Sequence, residues 1–229
     1  MKTQGGSSDA KRRAGESAAN LVVDGMVVGL GTGSTAAHAI DALGEAVDAG
    51  LDVRGIATSY QSRRRALEAG IPLTTLDAVD RVDVAIDGAD QVADRHLLKG
   101  GGAAHAREKV VDGVADRFVV VVDSSKTVET LSRPVPLAVL PDAEPVVERA
   151  VEDVGGDPEL RTATAKDGPV VTDDGNLVLD CSFGPIEDPA GLASTLSSLP
   201  GVVEHGLFVG MVDEIHVGTD GDVTVERFD

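Results

Sequence analysis

Short apolar runs that stop on a glycine or aspartate cluster and give way at once to a helical pattern constrain this chain more than any other feature. Met26–Leu30 is such a run, followed directly by Gly31-Thr32-Gly33-Ser34-Thr35. A helical stretch then covers Ala36–Ala49, and Gly50 closes it. Val53–Ala57 is the next run; Ser59 is placed to cap a helix through Ala69, stopped by Gly70. Arg81–Ile86 ends in Asp87-Gly88-Ala89-Asp90. Lys99-Gly100-Gly101-Gly102 opens a helix to about Val114, and Phe118–Val122 is a continuous apolar strand ending at Asp123. Ahead of these, residues 8–23 read as a helix with Ser8 at its start. Such alternation predicts a parallel sheet with helices on both faces.

The texture changes after Lys126, where Arg133-Pro134-Val135-Pro136 breaks the alternation. A strand (137–140), a helix (143–154), two strands (about 160–164 and 176–182), a helix (189–199) and a strand from Val202 follow. That order, β-α-β-β-α-β, is the ferredoxin-like arrangement. Asp173-Asp174-Gly175 marks the hairpin turn within it. Two strands, 214–217 and 223–226, close the chain. The expected organisation is therefore an α/β domain of residues 1–131 with 206–229, carrying an inserted α+β lobe of residues 132–205.

Composition narrows the function classes. The 229 residues are 42% hydrophobic, enough for a sizeable core. A net charge of −19, 2% aromatics and no tryptophan argue against nucleic acid, which needs basic patches and stacking rings. No apolar stretch reaches membrane-spanning length, and the first residues lack the apolar core of a signal peptide. A single cysteine, Cys181, excludes an intrachain disulfide and reads as a buried apolar residue, so a reducing cytoplasmic setting is the default. The acid is mostly Asp and lysine is scarce. That surface fits a protein working in high salt, where self-repulsion is screened; an ordinary acidic enzyme is the alternative.

Four motifs fall at strand ends. Gly29–Ala36 sits at a strand-to-helix turn, where glycines admit a ligand and free helix N–H groups attract an anion, with Thr32, Gly33, Ser34 and Thr35 as contacts. A tight turn without a ligand is the bland reading. No lysine completes a Walker loop, and Thr58-Ser59-Tyr60 stands where a dinucleotide site wants an acid, so a nucleotide cofactor is weakly supported. Asp87-Gly88-Ala89-Asp90 offers two carboxylates for sugar hydroxyls or proton shuttling. An Asp-rich surface turn would look the same. The Gly100–Gly102 run costs backbone entropy, which points to close approach of a ligand. Glu108, on the following helix, leans back toward that start, although a helical Glu is usually solvated. His105 and Glu108 have the spacing of a metal pair, but no cluster forms around them. Lys99, and Lys126 in Asp123-Ser124-Ser125-Lys126, supply positive charge. Arg63-Arg64-Arg65 reads as a solvated helix face.

Taken in order, GTGSTAAH, DGAD, KGGGAAHAREK and DSSK resemble type A ribose-5-phosphate isomerase, and the likeness continues through GGDPELR, VVTDDGNLVLD and LPGVVEHGLF. The resemblance implies a Rossmann-like domain with an inserted α+β lobe, in agreement with the break in alternation near residue 131. It also implies interconversion of ribose 5-phosphate and ribulose 5-phosphate through an enediolate, with no metal or organic cofactor. It implies Glu108 as base and Asp87 and Asp90 for hydroxyl protons, including ring opening. Lys99 with the Gly100, Gly101 and Gly102 amides would favour the enediolate. Thr32–Thr35, Gly88, Ala89 and Lys126 would bind substrate, with Lys11 as a further phosphate contact. It implies a homodimer or homotetramer and no nucleic-acid or membrane partner. A non-catalytic sugar-phosphate sensor on the same fold is the competing reading; it would not need Glu108, Asp87 or Lys99. One departure is Gln91, where the family pattern leads us to expect an acid after DGAD; another is a slightly short 91–98 connection.

Overall fold

The computed structural model describes residues 6–228, and these form two compact units. One comprises residues 6–89, Arg107–Thr127 and 211–228; the other comprises Asp90–Ala106 and Val128–Gly210. The second unit holds the expected lobe of residues 132–205 and also takes in Asp90–Ala106, which the sequence pattern placed with the parallel sheet.

The first unit is built on a six-stranded sheet. Its parallel strands are β1 (Val27–Leu30), β2 (Arg54–Ala57), β3 (Val84–Asp87), β6 (Phe118–Asp123) and β12 (Glu214–Gly218), with β13 (Val223–Arg227) antiparallel at the edge. The strand order is β13-β12-β6-β3-β1-β2. Alternation of side chains across the pleat explains the two cores. Val28, Leu30, Val84, Ile86, Val119 and Val121 face helices α1 (Ser8–Ala19), α2 (Ser34–Asp48) and α3 (Tyr60–Glu68). Val27, Ile56 and Val82 pack with Val111 of α4 (His105–Val114) on the opposite face. A Cβ on Gly29 would lie 2.8 Å from Val111 Cγ1, so the glycine inside β1 is what lets α4 approach.

Local chemistry sets the helix limits. Ser59 caps α3 by accepting from Ser62 N–H at 3.1 Å, as its sequence position predicted. The cap of α1 lies one residue earlier than expected: Ser7, in extended conformation, accepts from Ala10 N–H. α1 also stops at Ala19, because the chain turns through Asp24-Gly25, with Gly25 at φ +86°, to enter β1. Of the three arginines on α3, Arg64 pairs with Glu68, but Arg65 reaches α2, binding the Asp41 carboxylate and the Ala37 carbonyl.

The second unit contains the ferredoxin-like lobe that the element order predicted: β7 (Val135–Val139), α5 (Glu144–Asp153), β8 (Asp157–Leu160), β9 (Leu177–Ser182), α6 (Pro189–Ser197) and β10 (Val202–His205). Its antiparallel sheet runs β10-β7-β9-β8. The 172–176 turn forms as expected, with Gly175 at φ +85° and Thr172 and Asn176 paired. Cys181 is fully buried on β9, and burial pushes its thiol up to about 12. Residues 91–98, read as a plain connection, instead form strands β4 (Gln91–Ala93) and β5 (His96–Leu98), with Asp94 at φ +52° in the turn. They join β11 (Leu207–Val209) in a three-stranded sheet, β11-β5-β4. Three-residue strands are too short to show a period, and their partner lies more than 100 residues away.

Candidate active site

In the first unit, β1 lies between β2 and β3, so the chain leaves the sheet in opposite senses on either side of it. Open parallel sheets bind ligands outside the carboxyl ends of their strands at such a switch point. The Gly31–Thr35 loop follows β1 there, Asp87 ends β3, and Asp123 ends β6, so three predicted motifs share one sheet edge.

The loop is shaped by a buried carboxylate. Asp87 is fully buried; its Oδ1 accepts from Thr32 N–H at 2.9 Å and from Gly88 N–H at 2.6 Å. A Cβ on Gly31 would lie 2.2 Å from that oxygen and 2.5 Å from Asp87 Cα, so only glycine fits. Gly33, at φ +117°, then turns the chain into α2, whose N-terminus has no side-chain cap and no acid in its first turn. The open end of a 15-residue helix presents N–H groups and a positive dipole end to an anion. Ser34 is exposed beside it and Thr35 is buried. The Thr32 hydroxyl is engaged within the protein: Oγ1 donates to Ser59 Oγ at 2.6 Å and lies 3.0 Å from Thr58 Oγ1. Thr58 and Ser59 are thus the loop's brace, filling the position where a dinucleotide site would carry an acid.

Asp123 caps the turn after β6: its Oδ1 accepts from Ser125 N–H at 3.0 Å and from the Ser125 hydroxyl. That turn carries Lys126, which is itself buried. Gly88 sits between the two structures, its Cβ position 3.6 Å from Thr32 O and 3.8 Å from Val121 O.

Glu108 departs from the usual fate of a helical glutamate, with only 4% of its surface exposed. It lies one turn before Val111, on the same face of α4, and Val111 packs at Gly29 of β1. α4 runs antiparallel to the strands, and three residues rise about 4.5 Å, against about 3.3 Å per strand residue. Glu108 therefore stands level with the last residues of β1, at the sheet's carboxyl edge, and its side chain leans further toward the helix N-terminus.

The remaining candidates belong to the second unit. Lys99 follows β5 and is 2% exposed, with Nζ 5.3 Å from the Phe208 ring centroid. Its backbone N–H donates to Gly206 O at 2.8 Å. Gly100 has φ +104°, and a Cβ there would lie 2.8 Å from His105 Nδ1. Asp90 Oδ2 accepts from Gly101 N–H at 2.7 Å. His105, considered above for a metal pair, accepts from Ala138 N–H through Nε2 at 3.1 Å. Among the described residues no group of three His, Cys, Asp or Glu side chains converges to hold a metal. Gln91 has a local structural role: Oε1 accepts from both Ser132 and Arg133 N–H at 3.0 Å, and Nε2 lies 3.5 Å from the Ser132 hydroxyl. Sequence reasoning missed Arg161 and Asp180. Arg161 donates to Gly100 O at 2.9 Å, and its only signal was its place in GGDPELR. Lys11 is half-buried on α1.

An open helix N-terminus at a parallel-sheet switch point, with a buried glutamate level with it, defines an α/β enzyme for a small phosphorylated substrate and proton-transfer chemistry. The comparisons with known proteins give the particular case. The chain belongs to the ribose 5-phosphate isomerase A (phosphoriboisomerase A) family, whose model matches residues 54–222. A ribose-5-phosphate isomerase A from Haloarcula marismortui is 68% identical over 222 residues, covering 97% of each chain. The solved ribose 5-phosphate isomerase A of Methanocaldococcus jannaschii superposes with a TM-score of 0.92 at 44% identity, over 96% of this chain and 99% of its own. A D-ribose-5-phosphate isomerase in complex with phospho-erythronic acid gives a TM-score of 0.93 at 39% identity over the whole of both chains. The protein is an isomerase of ribose 5-phosphate and ribulose 5-phosphate. No helix among the described residues is long and apolar enough to cross a membrane.

Proposed function

We propose that Glu108 is the base that carries a proton between C1 and C2 of the open-chain sugar phosphate, through an enediolate. Its burial beside the sheet's carboxyl edge carries this reading, since a glutamate held in the packed interior is better aimed as a base than a solvated one. The α2 N-terminus with Thr32, Gly33, Ser34, Thr35 and Lys126 holds the phosphate end, and Gly88 and Ala89 line the approach. Asp87 both builds the loop and, with Asp90, serves the sugar hydroxyl protons, ring opening included. Lys99 and the Gly100 and Gly102 amides stabilise the enediolate oxygens, while the Gly101 N–H is held by Asp90. Phospho-erythronic acid, bound by a solved relative, supports this division: it joins a phosphate end to a planar carboxylate whose two oxygens share a negative charge, a mimic of the oxygens that the enediolate carries on its two adjacent carbons. The reaction needs no metal or organic cofactor in this scheme.

We further propose that the enzyme acts in the cytoplasm as a homodimer or homotetramer. A surface of −19 net charge and a close haloarchaeal relative support high salt as its working medium.

Glu108→Gln tests the central claim. It is expected to lower kcat for ribose 5-phosphate by about 10²- to 10⁴-fold, the range for loss of a general base, with KM little changed. Turnover within a few-fold of wild type would remove Glu108 from that role.

A further inference from the structure

We propose that Arg161, aimed by Asp180, is a positioning residue for isomerisation: it fixes the peptide plane between Gly100 and Gly101 and so orients the amides of the Gly100–Gly102 loop. The inference rests on the role given to that loop above.

Three successive residues without side chains have the widest backbone freedom of any tripeptide, so a loop of this kind is not pre-organised by its own sequence. The structure supplies an external brace. Arg161 leaves the end of β8, and its Nε donates to Asp180 Oδ2 at 2.8 Å while Nη2 binds the other carboxylate oxygen. That two-pronged pairing sets the rigid guanidinium plane and leaves Nη1 pointing away from β9. Nη1 donates to Gly100 O at 2.9 Å and lies 3.5 Å from Gly101 O. The Gly100 carbonyl also accepts from Ala103 N–H at 2.9 Å, so both its lone pairs are engaged. At the other end of the same peptide, Gly101 N–H is bound to Asp90 at 2.7 Å.

One peptide plane is thus held at both poles by charged groups of opposite sign. Arg161 and Asp180 are 12% and 21% exposed, so water competes little for these bonds. Because a trans peptide is planar, holding the Gly101 carbonyl fixes where the Gly102 N–H points, and holding the Gly100 carbonyl keeps the Gly101 N–H on Asp90. The cation polarises both peptides as well, strengthening them as donors. Such pre-orientation favours the intermediate over the substrate, since the amides need not reorganise as charge develops.

The test uses the full chain, with turnover of ribose 5-phosphate, inhibition by phospho-erythronic acid and thermal unfolding measured on the same samples. Arg161→Ala is expected to lower kcat on the order of 10- to 100-fold with KM within about threefold. The inhibition constant should rise in step with the fall in kcat. Arg161→Lys, which reaches one carbonyl without forking, should recover part of the loss, and Asp180→Asn should show the same split more weakly. A folded Arg161→Ala enzyme with wild-type kcat overturns the proposal, as does a loss confined to KM. Should the alanine variant fail to fold, Arg161→Lys and Asp180→Asn decide: unchanged kcat and inhibition in both overturns it. A wild-type protein with no isomerase turnover would overturn the functional reading beneath it; wild-type turnover with indifferent variants overturns the role of Arg161 alone.

Discussion

The loop after β1 and the loop before α4 both use clustered glycines, and they use them differently. After β1, Gly31 is required because Asp87 lies against it, whereas Gly33 has nothing within 4 Å of its Cβ position and is required only by its φ of +117°. The loop then becomes a long helix with an open end. Before α4, Gly100 carries both demands, a φ of +104° and a Cβ position 2.8 Å from His105, and Gly101 is crowded by Asp90 at 2.7 Å. The helix begins only at His105, and the loop is clamped from both sides by charged groups. In the proposed scheme the phosphate is met by a helix end that needs only to be left open. A developing oxyanion on a small substrate needs individual amides held at fixed angles, and side chains from elsewhere must hold them.

Substitutions can break this contrast, and the largest effect should come from Gly31→Ala. The new methyl would stand 2.5 Å from the Asp87 backbone, which cannot swing aside. We expect a loss of about 3 kcal/mol or more in stability, read as a large drop in thermal midpoint or as failure to fold. Gly33→Ala meets no atoms and suffers backbone strain alone, about 1–3 kcal/mol, with KM for ribose 5-phosphate raised more than kcat is lowered. If the two variants prove equally damaging by calorimetry, the division between steric and conformational glycines fails. The smallest effect should come from exchanging the carboxylates under the loops. Asp87→Asn and Asp90→Asn keep an oxygen that accepts the loop amide but lose its charge, so each should cost on the order of 1 kcal/mol in denaturant titrations. A cost of several kcal/mol in either would show that charge, rather than shape, holds that loop.

How far the sequence could be read follows from how local each feature is. The β1–loop–α2 unit was legible because strand, glycine turn and helix are consecutive; so was the Ser59 cap, made with a residue three positions on. The ferredoxin-like order was legible from alternation of element types. The 91–98 hairpin was not, since each strand has three residues and is stabilised by β11 far along the chain. Nor was the brace on the β1 loop legible: Thr58 and Ser59, brought beside Thr32 by β2, engage its hydroxyl.

By itself the sequence determined the layered α/β plan, the glycine turn into the open end of α2 and the ordered motifs of an isomerase family, because these depend on residue order and near neighbours. It also named Glu108 and Lys126, but as side chains that solvent would ordinarily claim. Only the tertiary structure buried them, set Asp87 under Gly31, and carried Arg161 to a carbonyl 61 residues earlier in the chain. Burial and hydrogen-bond direction are properties of surfaces that meet in space, and those meetings come from sheet order and helix packing, which no short stretch of the chain encodes.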